Sequence, residues 1–112
     1  MEREFAPEDI VQVSSGILIP GKRQSGPLAI VRFMLQEEIE IRQLPAAMRV
    51  CGPYLSRQFP RLRRARPKLN QPAEYYDRWL RELETAFGQR MLPVKQIPVD
   101  ERRDALARVE LF

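Results

Sequence analysis

The side chains with the clearest chemistry in this chain are basic ones gathered in its middle third. Residues 41–73 hold eight Lys and Arg side chains and no Asp or Glu. Eleven of the nineteen basic residues and all fifteen acidic residues lie outside this segment, so the rest of the chain sums to −4 against an overall +4. Guanidinium groups offer several N–H donors in a planar fork that matches phosphate and carboxylate oxygens. We therefore expect this basic segment to bind an anionic partner.

The residues of a conventional enzyme site are scarce. The chain has no histidine, the commonest general base and metal ligand. Cys51 is its only cysteine, so neither an internal disulfide nor a zinc-finger type of site can form within one chain. Glu37, Glu38 and Glu40 cluster, but we interpret them as the solvated side of an amphipathic helix. We expect no enzymatic activity, no metal and no cofactor.

Two further patterns have a simple interpretation. Gly16-x-x-x-x-Gly21-Lys22 matches the first part of a phosphate-binding loop, but Arg23 replaces the Ser or Thr hydroxyl that would hold magnesium. We interpret this stretch as a basic turn. Cys51 has no nearby base, and we expect it to be a half-buried thiol in a turn.

The elements that position the basic side chains are expected to be short helices. Prolines fall at positions 45, 53, 60 and 67 of the basic segment. An interior proline costs a helix about 3 kcal/mol, so each of these should begin or end one. We predict two or three short helices at angles to one another, in a mostly α, single-domain bundle.

Three longer helices are predicted around them. The first covers residues 27–44. The second, residues 72–87, has an unbroken apolar stripe at helical spacing, and Gly88 stands where a glycine ends a helix. The third covers residues 100–110, with Asp100 as its cap.

One domain is expected over residues 1–112. Its parts are an irregular or hairpin lead at 1–26 with a frayed start at 1–7, a helical core at 27–90, an extended linker at 91–98 and a C-terminal helix at 99–112. Within the lead, β-prone runs on either side of Ser14-Ser-Gly16 indicate a small β-hairpin, whereas Pro7-Glu-Asp9 fits the first turn of a helix. Both alternatives remain open. No signal peptide or membrane span is recognisable, so we expect a cytoplasmic protein with no membrane partner.

Part of the basic segment, Leu44-Pro-Ala-Ala-Met-Arg-Val-Cys-Gly-Pro-Tyr-Leu-Ser-Arg57, resembles the helix-turn-helix of lambda-repressor-like (XRE-type) DNA-binding proteins. That core often reads L-A-x-x-L-G-V-S-x-x-Y-L-S-R. The matching positions are Leu44, Val50, Tyr54, Leu55, Ser56 and Arg57. The resemblance implies two helices joined by a turn at Arg49, with the second helix in the major groove. By the family's pattern Gly52, Pro53 and Arg57 face the bases, and of these only Arg57 has a side-chain donor.

The leading hypothesis is a small DNA-binding regulator of transcription, able to act as a homodimer. Its predicted binding residues are Arg49, Arg57, Arg61, Arg63, Arg64, Arg66 and Lys68. Arg57 would read a base edge, and the residues that follow it would contact phosphates. The alternative is an adaptor or assembly factor whose basic surface binds an acidic partner protein. In a third interpretation the arginines form a plain solvated face, or pair with the acids at 37–40 or 74–84.

Overall fold

The computed structural model describes residues 1–88 and 90–110. Gln89 of the predicted core and residues 111–112 of the predicted last helix lie outside this range. The elements, in chain order, are β1 (Glu2–Phe5), α1 (Pro7–Ser15), α2 (Ser25–Leu35), α3 (Leu44–Gln58), α4 (Ala73–Phe87), β2 (Leu92–Lys95) and α5 (Val99–Glu110). Short 3-10 helices cover Ile41–Gln43 and Pro60–Ala65. The prediction of a small, mostly α-helical protein is confirmed.

The helix α3 is the centre of the core and packs against α1, α2 and α5. Most of its surface is buried, through Leu44, Ala46, Ala47, Met48, Val50, Cys51, Gly52 and Leu55. Its exposed residues recur every fourth position, at Pro45, Arg49, Pro53 and Arg57. The helix is therefore a buried rod with one narrow stripe open to solvent.

The expectation that each proline of the basic segment begins or ends a helix is wrong for Pro53. Pro45 lies in the first turn of α3 and Pro60 begins a 3-10 helix, as expected, but Pro53 lies inside α3. An interior proline removes the hydrogen bond that its N–H would donate to the carbonyl four residues earlier, at a cost of about 3 kcal/mol. Each large apolar side chain that α3 buries contributes about 1.5–3 kcal/mol. Several such side chains outweigh one proline, so the helix continues through it.

The first 26 residues are neither a frayed lead nor a hairpin. Glu2–Phe5 pairs antiparallel with Leu92–Lys95, which places Phe5 opposite Leu92. The next residues form α1, which ends at Gly16 with a left-handed φ of 73°. The helical alternative for this stretch is therefore correct. Burial decides it, since Ile10, Val11 and Val13 are fully buried and the β preference of such residues is easily overridden by packing.

Two other boundaries differ from those predicted. The helix expected over 27–44 ends at Leu35, because Gln36 takes a left-handed conformation with φ 53°. Glu37, Glu38 and Glu40 therefore lie in a connection and not on a helix face. The expected linker at 91–98 contains β2, and the N–H of Ile97 donates to the carbonyl of Met34 at 3.0 Å, which ties this stretch to the end of α2.

The last two predicted helices are confirmed within a residue or so, but α5 begins at Val99, so Asp100 lies in its first turn and is not its cap. In α4 the side chains of Tyr76, Trp79 and Leu83 are buried, and Gly88 ends the helix with φ 66°. The helix α5 buries Ala105 and Val109. Over the residues described here, no helix combines the length and the apolar character needed to cross a membrane.

Candidate nucleic-acid interface

The stretch that resembles a helix-turn-helix forms one continuous helix. Arg49, where the resemblance places the turn, lies in the middle of α3. Gly52, which it places against the bases, is buried, and a Cβ there would lie 3.3 Å from the carbonyl oxygens of Val13 and Ser14 in α1. The turn expected at Arg49 is therefore wrong, and residues 44–58 present no separate recognition helix. Arg57 is exposed at the C-terminal end of α3.

The side chains predicted to bind a partner all lie on the surface. Exposed residues include Arg49, Arg57, Arg61, Arg63, Arg64, Arg66 and Lys68. Arg49 and Arg57 share the open stripe of α3, two turns or about 12 Å apart along its axis. Arg61, Arg63 and Arg64 belong to the 3-10 helix Pro60–Ala65, which we call the arginine turn. Arg66 and Lys68 follow it directly.

Aromatic side chains of α4 hold the backbone of this region. The indole N–H of Trp79 donates to the carbonyl of Ala65 at 2.6 Å, and the hydroxyl of Tyr76 donates to the carbonyl of Lys68 at 2.7 Å. The backbone N–H of Lys68 donates in turn to the hydroxyl of Tyr75 at 2.9 Å. Fixed backbone groups, and not ion pairs, thus position the basic side chains.

Two of the arginines lie over aromatic rings. The guanidinium carbon of Arg57 is 4.8 Å from the centroid of Tyr54, and that of Arg61 is 5.9 Å from the centroid of Phe87. The Tyr54 hydroxyl donates to a carboxylate oxygen of Glu101 at 3.0 Å. Burial raises the pKa of Tyr54, and the hydrogen bond to Glu101 raises it further. Tyr54 therefore remains a neutral hydrogen-bond donor.

Two clefts separate the arginine turn from the C-terminal part of α4. The larger, of about 320 Å³, is lined by residues that include Phe59, Arg61, Phe87 and Arg90. The smaller, of about 180 Å³, is lined by residues that include Arg64, Arg66, Trp79, Glu82 and Phe87. Phe87 contributes to both. The fold thus brings the basic residues into contact with an aromatic surface.

Arg90 belongs to this surface although the sequence did not single it out. It follows α4 by three residues, and the fold returns it to the arginine turn. The signal available in the sequence was its position just past the helix-ending Gly88. Lys95 also lies next to this surface, because its backbone is bonded to the end of α3. The Gln58 side chain donates to the Lys95 carbonyl at 3.3 Å and accepts from the Lys95 N–H at 2.9 Å.

Most of these cations have no anionic partner among the residues that the structure describes. Within the described ranges, no carboxylate forms an ion pair with Arg57, Arg61, Arg63, Arg64, Arg66 or Lys68. Arg42 differs, because it pairs with Glu40 at 2.6 Å and lowers the pKa of that carboxyl. The interpretation in which the arginines are neutralised by the acids at 37–40 or 74–84 is therefore wrong for these six residues.

The other chemical candidates have structural explanations. Burial raises the pKa of the Cys51 thiol to about 12, and the residue lies fully buried in α3, so the expected half-buried thiol in a turn is wrong. Glu40 caps the 3-10 helix Ile41–Gln43. Lys22 pairs with Glu8 at 3.8 Å, and the next helix begins only at Ser25, so the stretch lacks the loop-to-helix junction that holds phosphate. No group of three or more potential metal ligands occurs among the positions described.

Comparisons with protein-family models, curated proteins and solved structures found no match. The resemblance to lambda-repressor-like proteins therefore rests on residues 44–57 alone. The geometry of the basic surface is what remains to indicate a function.

Proposed function

We propose that this protein is a non-catalytic nucleic-acid-binding protein whose basic surface contacts phosphates. One observation carries the proposal. The six cations between Arg57 and Lys68 are exposed and have no carboxylate partner among the described residues, and α4 holds the backbone at Ala65 and Lys68. Like charges in close proximity repel one another, and a polyanion removes that repulsion.

The mode of contact differs from that of a helix-turn-helix protein. The fully exposed residues of α3 are two prolines and two arginines, and its other residues are buried or half-buried. Recognition therefore proceeds from the arginine turn and its surroundings, with phosphates as the main ligands. Contacts of this kind position a nucleic acid and carry little sequence information. A regulatory role would then depend on further partners or on the form of the nucleic acid.

A basic surface for an acidic partner protein is the second candidate. Leu69 and Met91 are large apolar side chains that are 63% and 46% exposed, and they adjoin Lys68 and Arg90 in the chain. Phosphate contacts make no use of such side chains, whereas protein interfaces combine apolar residues with arginines. This observation favours an adaptor.

Fluorescence anisotropy with labelled random-sequence DNA, measured over a series of salt concentrations, tests the proposal. Six phosphate contacts predict that the logarithm of the association constant falls with the logarithm of salt concentration with a slope of about −4 to −5, depending on strandedness. In the triple variant Arg61→Ala, Arg63→Ala, Arg64→Ala the magnitude of this slope should fall by about 2 to 3.

The matched control removes the same charge elsewhere. Arg78, Arg81 and Arg103 are exposed and lie outside the basic segment, so their triple alanine variant should retain most of the binding. Equal losses in the two variants would show that net charge alone drives binding. Absence of binding at low salt would eliminate the nucleic-acid function and leave the acidic protein partner.

A further inference from the structure

Phe87, the last residue of α4, stands between the two basic clefts. The larger cleft places Arg61 and Arg90 beside it, and the smaller places Arg64 and Arg66 there together with one carboxylate, that of Glu82. Phe87 is half-buried, so part of it remains accessible to solvent. Cationic groups that can hold successive phosphates therefore flank an aromatic side chain fixed at the end of a helix.

Phosphate binding alone gives this ring no role. An unpaired nucleobase offers a flat π-face, and stacking on an aromatic side chain strengthens binding by about fivefold or more per base. The guanidinium of Arg61 lies 5.9 Å from the ring centroid, at the outer limit of a cation–π contact. A base can therefore displace it at little cost. The released guanidinium is then free to bind the neighbouring phosphate.

The larger cleft has the dimensions for such a contact. Its volume of about 320 Å³ lies at the small end of the range for small-molecule sites, roughly 300–1,000 Å³. Phe59 and Leu92 add apolar surface to its lining. The cleft therefore suits a single base or nucleotide better than the edge of a duplex.

A duplex could not use these features. Its bases are stacked on one another and present only their edges in the grooves, where an inserted helix or strand reads them. In this protein the exposed stripe of α3 is narrow, and the arginines lie on a short turn and the chain that follows it. Double-stranded DNA would meet the cations without reaching Phe87.

From this arrangement we propose that the protein binds single-stranded nucleic acid, with a base stacked on Phe87 and the adjoining phosphates held by Arg61, Arg64 and Arg90. The inference rests on the proposed function, since the cations must bind phosphates for the ring to matter. It adds a ligand class, a base-contacting residue and a cationic residue, Arg90, to the predicted set.

The test uses three labelled ligands of equal phosphate number: a single-stranded oligothymidylate, the same length of abasic strand, and a duplex. Each is titrated by anisotropy against the wild type, Phe87→Leu and Phe87→Tyr at one fixed salt concentration. The wild type should bind the thymidylate at least fivefold more tightly than the abasic strand, because only the former can stack. Phe87→Leu should lose that preference while its affinity for the abasic strand is unchanged, and Phe87→Tyr should keep it.

Each outcome of this experiment tests a different part of the proposal. Equal affinities of the wild type for the thymidylate and abasic strands would overturn the single-strand inference and leave the phosphate-binding function intact. A preference that survives in Phe87→Leu would overturn the role of the ring. Failure of all three ligands to bind at low salt would contradict the proposed function itself. If Phe87→Leu fails to fold, the wild-type comparison of thymidylate and abasic strands still decides whether bases contribute.

Discussion

The carboxyl of Asp9 titrates at a higher pH than an ordinary aspartate. Burial and, to a smaller extent, the neighbouring Glu8 together raise its pKa from 3.8 to about 6, against an opposing effect of Lys22. Its side chain packs directly against Gly26 at the start of α2, so a larger residue at position 26 would collide with the carboxyl. The ionised form is therefore held in an environment that disfavours it.

Replacing this carboxyl should stabilise the protein at neutral pH. Because the folded pKa of Asp9, about 6, lies above the unfolded value of 3.8, its ionisation costs stability, in full above pH 6 and not at all below pH 3.8. Allowing for the solvent that still reaches the group, Asp9→Asn should raise the free energy of unfolding at pH 7 by about 1 kcal/mol. Urea denaturation should show the gain at pH 7 and its loss near pH 4. An equal gain at both pH values would contradict the titration of Asp9.

Gly52 of α3 packs directly against the backbone of α1. Alanine is the better helix former by about 1 kcal/mol, but its Cβ would press on the Val13 and Ser14 carbonyl oxygens at 3.3 Å. Backbone atoms of a packed helix yield little, and overpacking costs about 1–3 kcal/mol. Gly52→Ala should therefore lower the free energy of unfolding by about 1 kcal/mol, and Gly52→Leu by considerably more. Chemical denaturation measures both, and an alanine variant more stable than the wild type would show that α1 moves freely.

Among the helices and strands, those specified by local signals could be predicted from the sequence, and those that depend on contacts between distant parts of the chain could not. The helix α4 could be predicted because its apolar stripe and Gly88 are local signals. The continuity of α3 through Pro53 could not, because it depends on contacts with α1, α2 and α5 that only the fold creates. The strand β1 escaped prediction for a similar reason, since its partner β2 lies near the other end of the chain.

The hydrogen bonds between the aromatic side chains of α4 and the backbone of Ala65 and Lys68 can be tested by removing one of them. Tyr76→Phe removes the hydroxyl that donates to the Lys68 carbonyl, which should cost about 1 kcal/mol. Hydrogen exchange at residues 66–71 should then be several-fold faster, while the amides of α3 keep their protection. Tyr54→Phe is the matched control, because it removes a hydroxyl bonded to Glu101 elsewhere. Unchanged exchange at 66–71 would mean that Trp79 and Tyr75 suffice to hold this backbone.

At the scale of the whole molecule, the basic segment of the sequence does form a basic surface. The residues of that surface are, however, not the same set as the basic residues of the segment. Arg42 is neutralised by Glu40, and Arg90 joins from beyond the segment. The cations can be counted in the sequence, but the position of Phe87 among them could not be predicted. Phe87 belongs to the apolar stripe of α4, and such a stripe is equally typical of a helix that packs against the core. The assignment of Arg57 to a base edge depended on a turn at Arg49 that the burial of α3 excludes.

A substitution in the small sheet can test whether the molecule unfolds as one cooperative unit. Phe5 of β1 is 6% exposed, and its ring centroid lies 5.8 Å from that of Phe33 in α2, so it links the sheet to the helical core. Phe5→Ala should lower the free energy of unfolding by about 3 kcal/mol through loss of burial and the cavity left behind. Glu4→Ala, an exposed change on the same strand, should alter it by less than about 0.5 kcal/mol.

The two probes of that experiment report different parts of the fold. Far-UV circular dichroism follows all the helices, whereas the fluorescence of Trp79 follows α4 and the backbone of Ala65 to which it is bonded. If the sheet, the core helices and the basic surface form one cooperative unit, both signals should shift to lower denaturant together and remain superimposable in Phe5→Ala. A Trp79 transition that stays at the wild-type midpoint while the helical signal shifts would show that the basic surface unfolds independently of the core.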